Sequence, residues 1–344
     1  MLGWGFPPNV SGGLDTAVGE LFHQFDARDD VDIDLVLPAE YTPDGYDDIH
    51  GVPTGDGDVR TRIDRLADEF VDYAADADLV HTHDWFGYNP GVRAQTTHDV
   101  PWVSTFHSLT VDRNRTPPEE ELRVEQRLAN RADHLVAVSE LVRRTIREEY
   151  GADSHLIYNG FTSVESSGRD LKAELGIDGT MLFFVGRHTH QKGLEYLLYA
   201  LSKLQRDVTL VVGGTGHLTD QCERFVRLLG IEDRVQFVGY VPQEELGDYY
   251  ASADLFVSPS LAEPFGITIV EALSVGTRVV ACESGAAEIL PEDAVVEVDP
   301  DSDSIAAGIE RALAAGPVPD YEPRRWATVA DEHVAFYEDV LADR

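Results

Sequence analysis

The sequence predicts an α/β protein made of two doubly wound domains, each a sheet with helices on both faces. Three observations carry that prediction. The chain has 344 residues, enough for two separate cores, and 43% of them are apolar, an ordinary share for a globular protein. Short β-rich apolar runs alternate with helical patterns through the first half, which is βαβ order. The same rhythm restarts at Met181 with its own apolar strands, after a Ser/Gly stretch at Val164–Arg169 that has the composition of a linker.

In chain order, Met1–Phe6 is a short apolar run. A loop with Pro7, Pro8, Gly12 and Gly13 follows, then a helix with Leu14, Ala17, Val18, Leu21, Phe22 and Phe25 on one face. Gly12 and Gly13 let the loop approach a ligand, and the helix start is an anion site; the plainer reading is a turn. Val31–Leu37 alternates acidic and apolar residues as a strand, Val59–Ala75 is a helix, and Leu79–His81 is a short strand. His81-Thr82-His83-Asp84-Trp85 closes that strand. His-x-His at a strand end is how several metallohydrolases begin a metal site, but no second His/Asp/Glu cluster with matching spacing lies downstream. An acceptor-site role for His83, Asp84 and Trp85, or plain packing, competes with it. Pro101–Phe106 is a strand with His107 at its carboxyl end, where open α/β sheets place ligand-contacting groups; a core histidine is the alternative. Glu119–Arg131 is a charged helix, Leu135–Val138 a strand, and Ser139 caps a helix reaching Arg147. Asn159-Gly160 marks a turn.

In the second half, Met181–Val185 is a buried strand, and Gly186 to Gly193 is the loop before the helix Leu194–Leu204. Arg187 and Lys192 in that loop are cations beside a helix start in a chain short of cations, and they suit diphosphate oxygens; solvation at a surface is the other reading. Val208–Val212 runs into Gly213-Gly214-Thr215-Gly216. A dinucleotide fingerprint needs a further glycine where Thr219 stands, so the loop, with Gly214, is expected to bring backbone close to a ligand instead. Val235–Val238 is a strand, Pro242–Tyr250 a short helix, Arg278–Ala281 a strand, and Gly285–Leu290 the start of another helix. Ile305–Ala315 and Arg324–Leu341 are helices separated by the breaker stretch Gly316–Pro323.

The stretch Leu255 to Gly276 carries the chemistry. A β-rich run ends at Ser258–Ser260, and an amphipathic helix begins just past Pro264. The amides of Phe265, Gly266, Ile267 and Thr268, at the positive end of a helix dipole, can receive phosphate oxygens. Glu263 precedes the helix and Glu271 lies about two turns into it; eight residues at about 1.5 Å each span roughly 12 Å, close to a sugar diphosphate. Carboxylates accept paired hydrogen bonds from vicinal hydroxyls, so two glutamates around an anion site suit a nucleotide sugar. Two surface glutamates are the bland alternative.

Composition removes several classes. Acidic residues number 63 against 27 basic ones, a formal net charge of −36, which argues against nucleic acid and anionic membranes as partners. The acidity is spread along the chain and reads as the solvated surface of a protein from a salt-accumulating cell. Two cysteines, Cys222 and Cys282, form no disulfide framework, and no apolar run nears the ~20 residues of a membrane span, so a cytoplasmic location without a membrane segment is expected.

The segment EPFGITIVEALSVG resembles the donor site of the retaining GT-B glycosyltransferases of the large glycosyltransferase 4 family, whose signature is two glutamates with seven residues between them. The likeness runs over essentially the whole chain. It implies a GT-B fold, two Rossmann-like domains facing across a cleft: residues 1–160 on the acceptor side with the last helix, 324–344, crossing back, and 161–323 binding the donor. By that resemblance Glu263 faces the sugar hydroxyls, Glu271 the nucleotide ribose, His107 the transferred sugar, and Gly12-Gly13 the acceptor and donor phosphates. The GR…KG pattern of Arg187 and Lys192 implies donor-phosphate binding, and HDW at His83–Trp85 resembles glycogen synthases. Members usually carry more apolar residues before the first glycines, so the first strand looks clipped. The implied reaction is metal-independent, retaining transfer of a hexose from a nucleotide-diphosphate sugar, the only co-substrate, to a glycan, lipid-linked or small-molecule acceptor. Alternatives are a glycogen synthase-like glucosyltransferase, a 2-epimerase, a metallohydrolase using His81 and His83, and a non-catalytic nucleotide-sugar-binding protein.

Overall fold

The computed structural model describes residues 1–7, 12–113 and 116–343, so Pro8 of the first loop lies outside the described residues. The chain forms two compact units: Met1–Val111, Thr116–Gly160 and Pro323–Arg344 make the first, and Phe161–Glu322 the bulk of the second.

The first unit runs α1 (Gly13–Asp26), β1 (Leu35–Pro38), β2 (Ile49–Val52), α2 (Val59–Tyr73), β3 (Val80–His83), α3 (Tyr88–His98), β4 (Trp102–Phe106), α4 (Thr110–Arg113), α5 (Glu119–Arg131), β5 (His134–Ala137), α6 (Glu140–Tyr150) and β6 (His155–Leu156). Strands β3-β4-β5-β6 form one parallel sheet and β1-β2 a parallel pair. Residues 1–3 join them: Val36 donates to Met1 O (2.9 Å) and Leu2 donates to His81 O (2.9 Å). The apolar run at Met1–Phe6 thus acts in the ladder through Leu2 and its neighbours, not as a six-residue strand. Likewise only Leu35–Pro38 of the expected strand at 31–37 is paired in a ladder; Asp34, just before it, bonds the Met1 amino group through its carbonyl and His50 through its side chain instead. Ser139 caps α6 by accepting from Val142 N (3.1 Å). The core packs α1 (Val18, Leu21, Phe22, Phe25) against Leu35, Leu37, Val103 and Val136. The final helix, Trp326–Ala342, adds Trp326, Val329, Ala330 and Phe336 to this core.

The second unit contains α7 (Leu171–Leu175), β7 (Thr180–Val185), α8 (Leu194–Lys203), β8 (Val208–Gly213), α9 (Thr219–Leu229), β9 (Val235–Gly239), α10 (Gln243–Ser252), β10 (Leu255–Ser258), α11 (Ile267–Ser274), β11 (Val279–Ala281), β12 (Val295–Glu297) and α12 (Ser302–Ala314); α13 is Trp326–Ala342. Its six strands are all parallel in the order β12-β11-β10-β7-β8-β9. Side chains alternate across such a sheet, and both faces are covered. Leu182, Phe184, Leu210, Val212, Leu255 and Val257 enter the core under α8, α9 and α12, while Met181, Phe183, Val211 and Phe256 enter the one under α10 and α11. Continuous apolar runs are therefore what this sheet requires. The helix expected to begin at 285–290 is one 3₁₀ turn, Ala287–Ile289, with Leu290 extended and Pro291 following, where proline cannot continue a helical ladder.

Candidate functional site

In the second unit, numbering the strands by chain order gives 3-2-1-4-5-6, with the reversal between β7 and β10. Ligands bind outside the carboxyl ends of parallel strands at such a reversal, since the loops there diverge and leave a crevice. The loops leaving β7 and β10 carry Lys192 and Glu263, and they are tied together: Leu261 N donates to Gln191 O (2.8 Å) and Gln191 Nε2 to Ala262 O (3.2 Å). Lys192 Nζ meets Glu263 Oε2 at 2.7 Å, and Ser260 Oγ donates to the same oxygen at 2.8 Å. The pair is largely desolvated, with side-chain exposures of 21% and 10%, so removing either partner would leave a poorly solvated charge uncompensated. Glu263 Oε1 has no hydrogen-bond partner among the described residues. Arg187 in the same loop is exposed, and its guanidinium makes no ion pair among the described residues.

Helix α11 starts on Gly266, whose φ of 100° is open to glycine and strained for other residues. A Cβ there would stand 2.8 Å from Ile269 Cδ1 and 3.1 Å from Glu263 Cγ, so the glycine also makes room for the glutamate. Because Pro264 and Gly266 lie outside the helix, the stretch from Glu263 to Glu271 is helical only from Ile267, and the helical-rise estimate of its span does not hold. Ile267 and Thr268 are the first helical residues, with Ile269 N bonded back to Gly266 O (3.0 Å). Phe265 is buried, and its carbonyl takes Ala286 N (2.8 Å). Glu271 is 4% exposed; Tyr250 Oη donates to its Oε2 (2.9 Å) and the Gln243 side chain also bonds it. Burial pushes this carboxyl up to about 7, against the opposing pull of those two donors. Gly214 has a reason of its own: at φ 94° it donates to Gly239 O (2.7 Å), and a Cβ would lie 2.0 Å from Gly186 O. Its glycine requirement comes from packing two loops together.

In the first unit, β3 pairs with β4 in register His83↔Thr105, which brings His107 beside His83; His83 Nδ1 and His107 Nε2 are 3.1 Å apart. Asp84, at φ 48°, accepts from His107 N (2.7 Å) and Ser108 N (3.3 Å). Asp84 is therefore a buried support of the β4 end, His83 is buried with its ring against that of His107, and half-buried Trp85 opens a 3₁₀ turn. His81 is engaged at both nitrogens, Nε2 with Thr105 Oγ1 and Nδ1 with Tyr337 Oη, each at 2.7 Å. Among the described residues no group of three or more His, Cys, Asp or Glu side chains is arranged to hold a metal ion. Burial lowers His107 to about 4 and holds His81 and His83 well below the usual histidine range. Gly12 caps α1 with open space around it and Gly13 is its first residue. The first turn carries buried Asp15, which accepts Gly5 N (3.0 Å) and already answers part of the helix-end charge.

Sequence reasoning did not pick out Ser260, Tyr250 or Gln243. Ser260 lies three residues before Glu263 and was visible as a short hydroxyl near a carboxylate. Tyr250 and Gln243 reach Glu271 across the packing of α10 on α11, for which no local pattern exists.

Residues 11–163 match the model of "Glycosyltransferase Family 4", and residues 169–328 that of "Glycosyl transferases group 1". A D-inositol 3-phosphate glycosyltransferase of Nocardiopsis dassonvillei is 32% identical over 310 residues, covering 78% of this chain and 71% of that protein. Among solved structures, sucrose-phosphate synthase from Thermosynechococcus elongatus superposes with a TM-score of 0.80 at 23% identity, covering 97% of this chain and 94% of the other. The Anabaena protein HepE in complex with UDP-glucose has a TM-score of 0.72 at 22% identity, covering 99% and 98%.

Proposed function

Because this chain belongs to the group 1 glycosyl transferases, we propose that it transfers a hexose from a nucleoside diphosphate sugar, with retention and without a metal ion, to a glycan, lipid-linked or small-molecule acceptor. The observation that carries this reading is the Lys192–Glu263 pair at the β7/β10 reversal, beside the Gly266 start of α11. A sugar diphosphate needs cations and amides at one end and hydroxyl acceptors at the other, and this crevice supplies both. Lys192, exposed Arg187 and the first amides of α11 take the diphosphate charge that grows as the C1–O bond breaks. Glu263 Oε1 accepts from hydroxyls of the sugar, and Glu271 accepts from the ribose. The HepE complex supports a donor of the UDP-glucose type. By family resemblance, the acceptor oxygen attacks C1 from the face the diphosphate leaves, and its proton passes to the departing phosphate. His107 meets the transferred sugar, and the end of β3 faces the acceptor. Among the described residues no helix is long and apolar enough to cross a membrane.

The two glutamates separate under test. Glu271→Ala weakens both UDP and UDP-glucose by about tenfold or more, since each lost charge-assisted hydrogen bond is worth about 1.5–3 kcal/mol. Glu263→Ala leaves UDP affinity nearly intact and lowers kcat and sugar discrimination. Calorimetric titration of both variants with both ligands decides. Equal loss of UDP affinity in the two would overturn the assignment of ends, and no loss in either would place the donor elsewhere.

A further inference from the structure

Resting on the reading of His107 as a group that meets the transferred sugar, we propose that His83 is the positioning residue for His107, fixing the plane and the protonation pattern of its ring through the Nδ1···Nε2 contact. At 1% exposure His83 does not itself reach a substrate. The two rings are 5.1 Å apart between centroids, and the 3.1 Å contact is the one hydrogen bond to the His83 ring among the described residues. The partition of labour is visible in the neighbours. Asp84 fixes the backbone N–H groups of His107 and Ser108, so the strand end is set without His83. The His81 ring lies against that of His83, 4.4 Å between centroids and tilted by 42°, with both of its own nitrogens bound by Thr105 and Tyr337, and so keeps His83 from turning away.

Two neutral imidazoles can share this contact only with one proton between the facing nitrogens, so the tautomer of one ring dictates that of the other. If His83 carries its proton on Nδ1, His107 carries its own on Nδ1; if His83 carries it on Nε2, His107 donates through Nε2. Either arrangement leaves His83 Nε2 and His107 Nδ1, both buried, without a hydrogen-bond partner. A residue kept for packing alone would not leave such atoms, because an apolar side chain of similar size fills the space without them. These atoms line a cavity of about 10 Å³ shared with Thr105, Asn159 and His333.

The test uses the full chain as wild type, His83→Leu, His83→Asn and His107→Ala, with histidine ring ¹⁵N shifts and UDP release from UDP-glucose as readouts. Wild type shows His107 in one tautomer. His83→Leu shifts or mixes that tautomer, melts at the wild-type temperature or above, and turns over about tenfold or more slowly with KM within about twofold. His83→Asn, whose amide nitrogen falls near the Nδ1 position, restores the His107 signal and most of the turnover. An unchanged His107 signal in folded His83→Leu overturns the proposal. A shifted signal combined with wild-type turnover in His107→Ala upholds the contact and removes the catalytic reading of His107 on which it rests.

Discussion

Replacing Glu271 by glutamine should stabilise the protein and weaken its ligand at once. In the fold, burial raises the Glu271 carboxyl from 4.5 to about 7. The folded chain therefore holds this proton more tightly than the unfolded chain. Its favourable contribution is complete below pH 4.5 and is lost as pH rises through 7, above which the fold carries a buried charge. At 1.36 kcal/mol per pH unit the difference amounts to about 3 kcal/mol. Glutamine is neutral at every pH, nearly the same shape, and its oxygen still accepts from Tyr250 Oη, which lies 2.9 Å from the carboxylate now. At pH 5 the two proteins should melt within about a degree of each other. At pH 8.5 Glu271→Gln should melt higher, by roughly 6–12 °C for a unit of this size at about 2–4 °C per kcal/mol. The assay is scanning calorimetry from pH 5 to 9 in 2 M KCl, with UDP titrated into each protein. UDP affinity should fall about tenfold in the variant, because an amide replaces a charged acceptor. A melting difference that does not change with pH, or a variant less stable at pH 8.5, would refute the reasoning.

Three further outcomes are expected. Gly266→Ala should lower stability by about 1–3 kcal/mol, read as a shift of the urea midpoint, and reduce turnover, since alanine is strained at φ 100° and presses on the Glu263 side chain; an unchanged midpoint would mean the backbone there is free to relax. EDTA should leave transfer unaffected, because Lys192 and Arg187 supply the charge the diphosphate needs; loss restored by a divalent ion would bring back a metal-dependent reading. The melting temperature should rise from about 0.1 to 3 M KCl, as a Debye length falling from about 10 Å to a few ångströms screens a net charge of −36; a flat curve would show that repulsion is not limiting.

Much of the second unit was legible in the sequence because its determinants are local. A strand buried on both faces must be a continuous apolar run, and Met181–Val185 and Leu255–Val257 are such runs wherever they are met. The glycine before α11 and the cations before α8 stand within a few residues of the helix starts they serve. Elements whose support is distant escaped: β2 is four residues with a glycine and a histidine and exists because β1 pairs with it, and α3 holds Pro90 in its first turn, where the missing N–H is no loss, and Gly91 where the absent side chain leaves room for Trp102. Only tertiary structure decided the chemistry of Glu271 and His83. The sequence shows a glutamate on a helix and a histidine on a strand; burial raises the first to about 7 against the pull of the Tyr250 and Gln243 donors, and pairing of β3 with β4 sets the second against His107. Chain pattern determines which face a residue takes, whereas desolvation and partner atoms, which fix its protonation, come from segments 21 and 24 residues away.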